Sequence, residues 1–189
     1  MTARTFDLLT PHAILGAVET AYGLRLDGAL SAYHSYVNRV FSVATEEGAA
    51  YVAKFYRPGR WSDEAILDEH QFVQECAEAE LPVAAPLADA EGVTLHSVEL
   101  EGGETRAEFL FTLYERKGGF AFDAERDDDW RRLGSLVGRM HAVAVRAEAP
   151  NRLTCSPDAS SARFLEELSL AGVVPPKCEK EFFTLANEC

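Results

Sequence analysis

One lysine stands in the middle of an apolar stretch, and its charge needs a partner. The residues around it, Ala50-Tyr51-Val52-Ala53-Lys54-Phe55-Tyr56, are otherwise apolar or aromatic, which predicts a strand packed on both faces. Burying an unpaired ammonium in such a strand costs several kcal/mol. We therefore expect an anion close to Lys54, supplied either by the protein or by a ligand.

A glutamate on the next helix is the first candidate for that anion. Ser62 is expected to cap a helix that runs to about Glu80, where Leu81-Pro82 stops it. At 100° per residue Glu69 falls inside the apolar sector of this helix, whereas most of the other acids fall on the solvent side. Such a pair is either a structural ion pair or, as in kinases, a glutamate that positions a phosphate-binding lysine. The pattern alone leaves both readings open.

The rest of the chain predicts an α+β fold with a mostly antiparallel sheet and one inserted helix. Turns are expected at Asp27-Gly28 and over 99–104, and the polar, glycine-rich segment 115–119 is the best linker candidate. We predict a first lobe over 1–114, a linker over 115–119 and the incomplete start of a helical lobe over 120–189. The further predicted elements are a helix over 10–22, strands over 24–33, 39–45, 93–98 and 109–114, and helices over 130–143, 162–170 and from about 175.

Five blocks of this sequence form a recognisable set. They are Ser35-Tyr36-x-Asn38-Arg39-Val40, Val52-x-Lys54-Phe55-Tyr56-Arg57-Pro58-x-Arg60-Trp61, Ile66-Leu67-x-Glu69-His70-Gln71-Phe72, Leu81-Pro82-Val83-Ala84-Ala85-Pro86 and Leu136-Val137-Gly138-Arg139-Met140-His141. These blocks resemble the bacterial stress response kinase A family. That family belongs to the aminoglycoside phosphotransferase and choline kinase branch of the protein-kinase-like fold, and the resemblance runs from about Thr10 to Pro176.

The resemblance implies phosphorylation of protein serine or threonine by ATP and Mg²⁺ in the cytoplasm, linked to stress survival. By position, Lys54 would bind the phosphates, Glu69 would pair with it, and Ser35 would lie in the loop over the nucleotide. Tyr114-Glu115-Arg116 would form the hinge and contribute mainly backbone atoms. Ser35 also fits a turn serine that caps a backbone amide.

The sequence departs from the family at the catalytic loop. A His-Gly-Asp-x-x-x-x-Asn loop and a later metal-binding aspartate are expected downstream of the segment that matches Val174-Pro175, and neither occurs before Cys189. We therefore expect no catalytic residue and no metal ligand in this chain, and we interpret it as truncated and inactive alone. His70 and His141 are interpreted as packing residues. Arg57, Arg60 and Trp61 fit either a substrate patch or solvated arginines beside a helix start.

Composition limits the classes of partner. The net charge of −13 argues against a nucleic-acid-binding surface, and no run approaches the ~18 apolar residues of a membrane span. Four scattered cysteines and an N-terminus without an apolar segment favour free thiols in the cytoplasm. We expect a monomer that binds ATP and an unidentified protein substrate. The alternatives are a kinase for an aminoglycoside, choline or homoserine, and a non-catalytic nucleotide-binding module.

Overall fold

The computed structural model describes residues 3–119 and 122–186, which contain one five-stranded sheet and six helices. The sheet is antiparallel throughout, with strand order β1-β2-β3-β5-β4. In chain order the elements are α1 (Ala3–Phe6), α2 (Pro11–Tyr22), β1 (Leu26–Tyr33), β2 (Arg39–Thr45), β3 (Ala50–Phe55), α3 (Asp63–Glu78), β4 (His96–Gly102), β5 (Thr105–Glu115), α4 (Asp127–Ala144), α5 (Pro157–Ala171) and α6 (Pro176–Ala186). The predicted α+β class, with one helix inserted into an antiparallel sheet, is confirmed.

The side chains of β3, the central strand, show how the two faces of this sheet differ. Side chains alternate along a strand, so Ala53 and Phe55 point to one face and Lys54 points to the other. The first face is the main apolar core, where Phe55 stacks on Phe111 with ring centroids 5.0 Å apart. Helices α1 and α2 and the segment between them cover it with Phe6, Leu9, Ile14 and Val18.

Helix α3 lies against the opposite face and connects the sheet to α4. Ser62 caps its start by accepting from the Ala65 N–H, as predicted. At its other end Cys76 and Leu81 form a small second core with Val143 of α4. Arg139 of α4 donates to the carbonyls at the end of α3, those of Ala79 and Glu80, at 2.8 and 3.1 Å. A cation there also suits the negative end of the helix dipole.

Helix α2 reaches the free edge of β5 through one tyrosine. Strand β4 pairs with β5 only as far as Phe111, so the last residues of β5 extend beyond it. There the Leu113 N–H donates to the Tyr22 hydroxyl at 3.0 Å, and the Leu113 carbonyl accepts from the Leu87 N–H at 2.8 Å. Burial raises the pKa of Tyr22 to about 12, so its hydroxyl keeps its proton. Gly23, at φ 64°, then ends α2 in a left-handed cap.

Two turn predictions were wrong. Asp27-Gly28 does not interrupt β1; Gly28 takes φ 85° and the register with β2 shifts between Leu26 and Leu30, which is a bulge within a continuous strand. The predicted turn over 99–104 is mostly strand, because β4 continues to Gly102 and the hairpin closes at Gly103-Glu104. The one-turn helix α1 had not been predicted.

The internal contacts group the chain into two compact units, Met1–Asn151 and Arg152–Cys189. The first holds the sheet and helices α1 to α4. The second contains α5 and α6, separated by a turn at Gly172 with φ 59°. Cys76, Cys155 and Cys178 are thiols, and Cys189 lies outside the described residues.

A buried polar cluster joins α3 to the sheet around His70, which is only 4% exposed. Its Nδ1 lies 2.8 Å from the Thr94 hydroxyl, and its Nε2 lies 3.2 Å from the Tyr56 hydroxyl and 3.3 Å from that of Thr112. A neutral ring protonated at Nδ1 satisfies this set, since it donates to Thr94 and accepts from a hydroxyl at Nε2. Burial lowers the pKa of His70 to about 4. His70 is therefore buried, as expected of a packing residue, but its ring is also hydrogen-bonded on both sides.

This depressed pKa predicts a loss of stability in mild acid. Below pH 6.5 His70 becomes protonated in the unfolded chain, whereas in the folded chain it stays neutral until the pH approaches about 4. The contribution is therefore fully present above pH 6.5 and declines as the pH falls towards 4. At about 1.4 kcal/mol per pKa unit, we expect His70 to remove ~2 kcal/mol from the free energy of unfolding between pH 6.5 and 5. Denaturant titrations at both pH values measure this change.

A histidine-to-glutamine pair of variants isolates the effect. His70→Gln should lose less stability than the wild type over the same pH interval, because it cannot take up the proton. His34→Gln, at an exposed histidine, should follow the wild-type pH dependence. Equal slopes for the wild type and His70→Gln would contradict the assignment.

Candidate functional site

The structure brings Lys54 and Glu69 together on the face of the sheet that α3 covers. Lys54 is the second-last residue of β3 and pairs in register with Val40 of β2 and Thr112 of β5. Glu69 lies one helical turn and a half into α3, and its Oε1 accepts from the Lys54 Nζ at 3.2 Å. The two side chains remain 23% and 32% exposed. The ion pair is thus partly sheltered by the protein and partly accessible to solvent.

Within the described residues, the recorded side-chain contacts of Lys54 are the ion pair with Glu69 and the ring of Tyr56. The Lys54 Nζ lies 4.4 Å from the centre of the Tyr56 ring, which adds a cation–π attraction. Burial raises the pKa of Tyr56 far above its usual value, and neighbouring Tyr114 and Glu69 add to the shift. Burial likewise raises the pKa of Tyr114. Both phenols therefore stay neutral, and the anionic partner recorded for Lys54 within the described residues is Glu69.

Ser35 lies in the loop between β1 and β2, where it is half-buried. This loop, which spans 34–38, precedes the strand that pairs with β3. Arg57, just beyond the end of β3, donates to the loop carbonyls of Tyr36 and Val37. The structure therefore places Ser35 on a loop that is anchored to the end of the lysine strand.

The residues expected at the hinge continue the strand. Tyr114 and Glu115 are the last residues of β5, and the Arg116 N–H donates to the Ala50 carbonyl at 3.0 Å, which extends the ladder by one residue. Tyr114 also forms an isolated antiparallel bridge with Pro86. Its side chain shares the face of Lys54, because Tyr114 pairs with Val52. The irregular segment thus starts only after Arg116.

Two residues near the site had not been singled out correctly from the sequence. Tyr56 follows Lys54 by two positions, and strand alternation was the signal that could have placed it on the same face. Arg57 had been interpreted as one of two solvated arginines or as part of a substrate patch. Instead it is half-buried and hydrogen-bonded to the β1–β2 loop, whereas Arg60 is exposed. No sequence signal indicated that partner, because the contact joins residues about 20 positions apart.

Over residues 3–119 and 122–186, no group of three or more His, Cys, Asp or Glu could hold a metal ion. The donor set around Lys54 and Glu69 therefore does not fit a magnesium site by itself. In the same ranges no helix is long and apolar enough to cross a membrane.

Two solved structures resemble this fold. An amicoumacin kinase, hAmiN, in complex with AMP-PNP, Ca²⁺ and Ami gives a TM-score of 0.69 at 19% identity, over 100% of this chain and 57% of that one. A microcompartment-associated aminopropanol kinase gives a TM-score of 0.52 at 17% identity, over 80% of this chain and 53% of that one. At these identities the likeness concerns the fold, which is kinase-like.

Curated relatives share far more sequence. Stress response kinase A of Escherichia coli (strain K12) is 39% identical over 140 residues, which are 74% of this chain and 40% of the relative. Serine/threonine protein kinase RdoA of Salmonella typhimurium (strain LT2) is 35% identical over 165 residues, which are 87% of this chain and 46% of the relative. The chain thus spans less than half the length of these relatives.

A family model described as the phosphotransferase enzyme family matches residues 30–187. This range includes Lys54, Glu69 and most of the described structure. The chain belongs to the phosphotransferase enzyme family.

Proposed function

We propose that this chain is the nucleotide-binding part of an ATP-dependent kinase that phosphorylates serine or threonine in proteins in the cytoplasm. The observation that carries the proposal is the 3.2 Å ion pair between Lys54 and Glu69, on the face of the sheet that α3 covers. The two relatives named above, one of them called a serine/threonine protein kinase, support it at 35–39% identity.

Lys54 is suited to bind phosphate. An ammonium has three N–H donors, and the contact with Glu69 uses one of them. Glu69 restrains the long lysine side chain before a ligand arrives, so less side-chain entropy is lost when phosphate binds. Because Tyr56 and Tyr114 stay neutral, no further anion from these two groups competes with phosphate for the lysine.

The rest of the nucleotide would lie between the β1–β2 loop and the end of β5. In this proposal Ser35 faces the phosphates, and the base lies beside Tyr114, Glu115 and Arg116. The boundaries of a first lobe over 1–114, a hinge over 115–119 and a helical second lobe over 120–189 belong to the same proposal. The side chain of Tyr114 would contribute as well as the backbone, because it shares the face of Lys54.

The proposal assigns no proton acceptor and no magnesium ligand to this chain. The sequence contains no His-Gly-Asp, and no described cluster of carboxylates or histidines fits a metal ion. Magnesium, when bound to such a nucleotide, would neutralise phosphate charge. We place its ligands and the catalytic base in the part of the longer relatives that this chain does not match, since it spans only 40–46% of their length.

A small-molecule acceptor is the second candidate. It is favoured by two of the solved structures that share the fold, which are kinases named for amicoumacin and aminopropanol. In an assay of a longer chain that carries the catalytic loop, a panel of small alcohols and proteins would distinguish the acceptors. Faster phosphorylation of an alcohol than of any protein would replace the first candidate by the second.

Removing the lysine should remove most of the nucleotide affinity. We expect Lys54→Ala to weaken ATP binding by at least about tenfold, since it deletes a charge-assisted hydrogen-bond donor. Glu69→Gln should weaken binding by a smaller factor, about threefold, because the amide still hydrogen-bonds the lysine without its charge. Titration calorimetry with ATP measures both changes.

Lys177→Ala is the matched control, since Lys177 is exposed on α6. It should bind ATP as the wild type does. Unchanged affinity in Lys54→Ala, with wild-type binding detected, would remove the lysine from the site. The absence of any ATP binding by the wild type would remove the proposed function itself.

Binding without turnover is the second expected property. The chain should bind ATP, yet release of the γ-phosphate to water or to added protein should stay at the level of a protein-free control, because no residue is placed to accept the proton. Release of labelled phosphate measures this. Turnover above that level which disappears in Lys54→Ala would show that catalytic groups exist within these 189 residues.

A further inference from the structure

Two arginines hold three successive carbonyls of the loop between β1 and β2. Arg57 donates through its Nε to the Val37 carbonyl at 3.0 Å and through its Nη2 to the Tyr36 carbonyl at 3.3 Å. Arg39 donates through its Nη1 to the Asn38 carbonyl at 3.1 Å. The Asn38 side chain in turn accepts from the backbone N–H of Arg57 at 3.3 Å. The loop is thus attached to Arg57, the second residue after β3.

This arrangement needs an arginine at position 57. The guanidinium is planar and presents several donors in fixed directions, so one side chain can reach two neighbouring carbonyls. A lysine offers one compact ammonium and cannot reproduce that fork. The hydrogen-bond partners recorded for Arg57 within the described residues are uncharged oxygens.

An aromatic ring from the N-terminal turn supports both cations. The guanidinium carbon of Arg39 lies 4.2 Å from the centre of the Phe6 ring, and that of Arg57 lies 5.6 Å from it. Phe6 itself is buried against Phe109 of β5. The position of the arginines is therefore fixed by the core on one side and by the loop carbonyls on the other.

The direction of these carbonyls determines the direction of the loop amides. In a trans peptide the C=O and the following N–H point opposite ways, and the described chain has no cis peptide. With the Tyr36 and Val37 carbonyls turned towards Arg57, the N–H groups of Val37 and Asn38 point away from it. Backbone amides directed away from a cationic clamp can donate to an anion such as phosphate.

We propose that Arg57, assisted by Arg39, is a positioning residue that fixes the β1–β2 loop in the conformation that receives the phosphates of a nucleotide. The inference rests on the proposed function, and it assigns Arg57 a role through the loop and not through contact with the ligand. It also explains why Arg57 lies three residues after Lys54. The end of β3 then positions both the lysine side chain and the β1–β2 loop.

The test uses the full chain and compares Arg57→Ala with Arg60→Ala. The control removes the same charge three positions away, from an exposed arginine whose recorded contact is with the Trp61 ring at 5.9 Å. We expect the backbone amide of residue 57, which donates to the Asn38 side chain, to exchange about tenfold faster in ligand-free Arg57→Ala than in the wild type, and to exchange at the wild-type rate in the control.

Ligand binding provides the second readout. Arg57→Ala should weaken ATP binding about tenfold while adenosine binding changes by less than about twofold, because only ATP carries the phosphates. Arg57→Lys should behave like Arg57→Ala, since the ammonium cannot span both carbonyls. Thermal melts confirm folding, and if Arg57→Ala fails to fold, Arg57→Lys decides the question.

The outcomes separate the two hypotheses. Unchanged exchange in a folded Arg57 variant, or equal acceleration in Arg60→Ala, overturns the clamp. Equal weakening of ATP and adenosine overturns the link to phosphate. If the wild-type chain binds no ATP, the proposed function and the phosphate link fall together, whereas the exchange measurement still decides whether Arg57 holds the loop.

Discussion

The ion pair between Lys54 and Glu69 is the constraint on which the face of the sheet beneath α3 depends. It ties the central strand to the one helix inserted into the sheet, and it places a positive charge where a sheet would otherwise bury apolar side chains. Hydroxyls of Tyr56 and Thr112 and the neutral imidazole of His70 form a cluster on the same face. These groups can be buried because they satisfy one another by hydrogen bonds. The ion pair thus lies beside a polar cluster that carries no net charge when His70 is neutral.

Because side chains alternate along β3, the main apolar core and the proposed nucleotide site lie on opposite faces of the sheet. Ala53 and Phe55 belong to the fully buried core beneath α1 and α2, whereas Lys54 belongs to the partly open face beneath α3. A substitution on one face therefore affects mainly packing, and one on the other affects mainly electrostatics. Proteins can keep a strained or polar site because a separate, well-packed core supplies the net stability.

The sequence predicted those parts of the fold that depend on local patterns. Helix α2, strand β2 and the Ser62 cap follow from periodicity and capping chemistry, and the pairing of Lys54 with Glu69 followed from the helical position of the glutamate. What could not be predicted depends on contacts between distant residues. The polar cluster around His70 draws on four separate segments, and the attachment of Arg57 to the β1–β2 loop depends on how two strands lie side by side. The turns predicted at Asp27-Gly28 and over 99–104 were wrong because a glycine favours a turn and a strand irregularity alike.

The hydroxyl of Tyr22 has a consequence beyond its place at the end of α2. The exposed rim of a sheet offers unpaired amides and carbonyls to any extended chain nearby, and proteins need ways to prevent such pairing. Where β4 falls short of β5, the amide of Leu113 is occupied by Tyr22 and its carbonyl by Leu87. A side chain and a loop thus take the place that a neighbouring strand would fill. These contacts cover the edge of β5 beyond the end of β4, so that a strand of another chain cannot pair with Leu113 there.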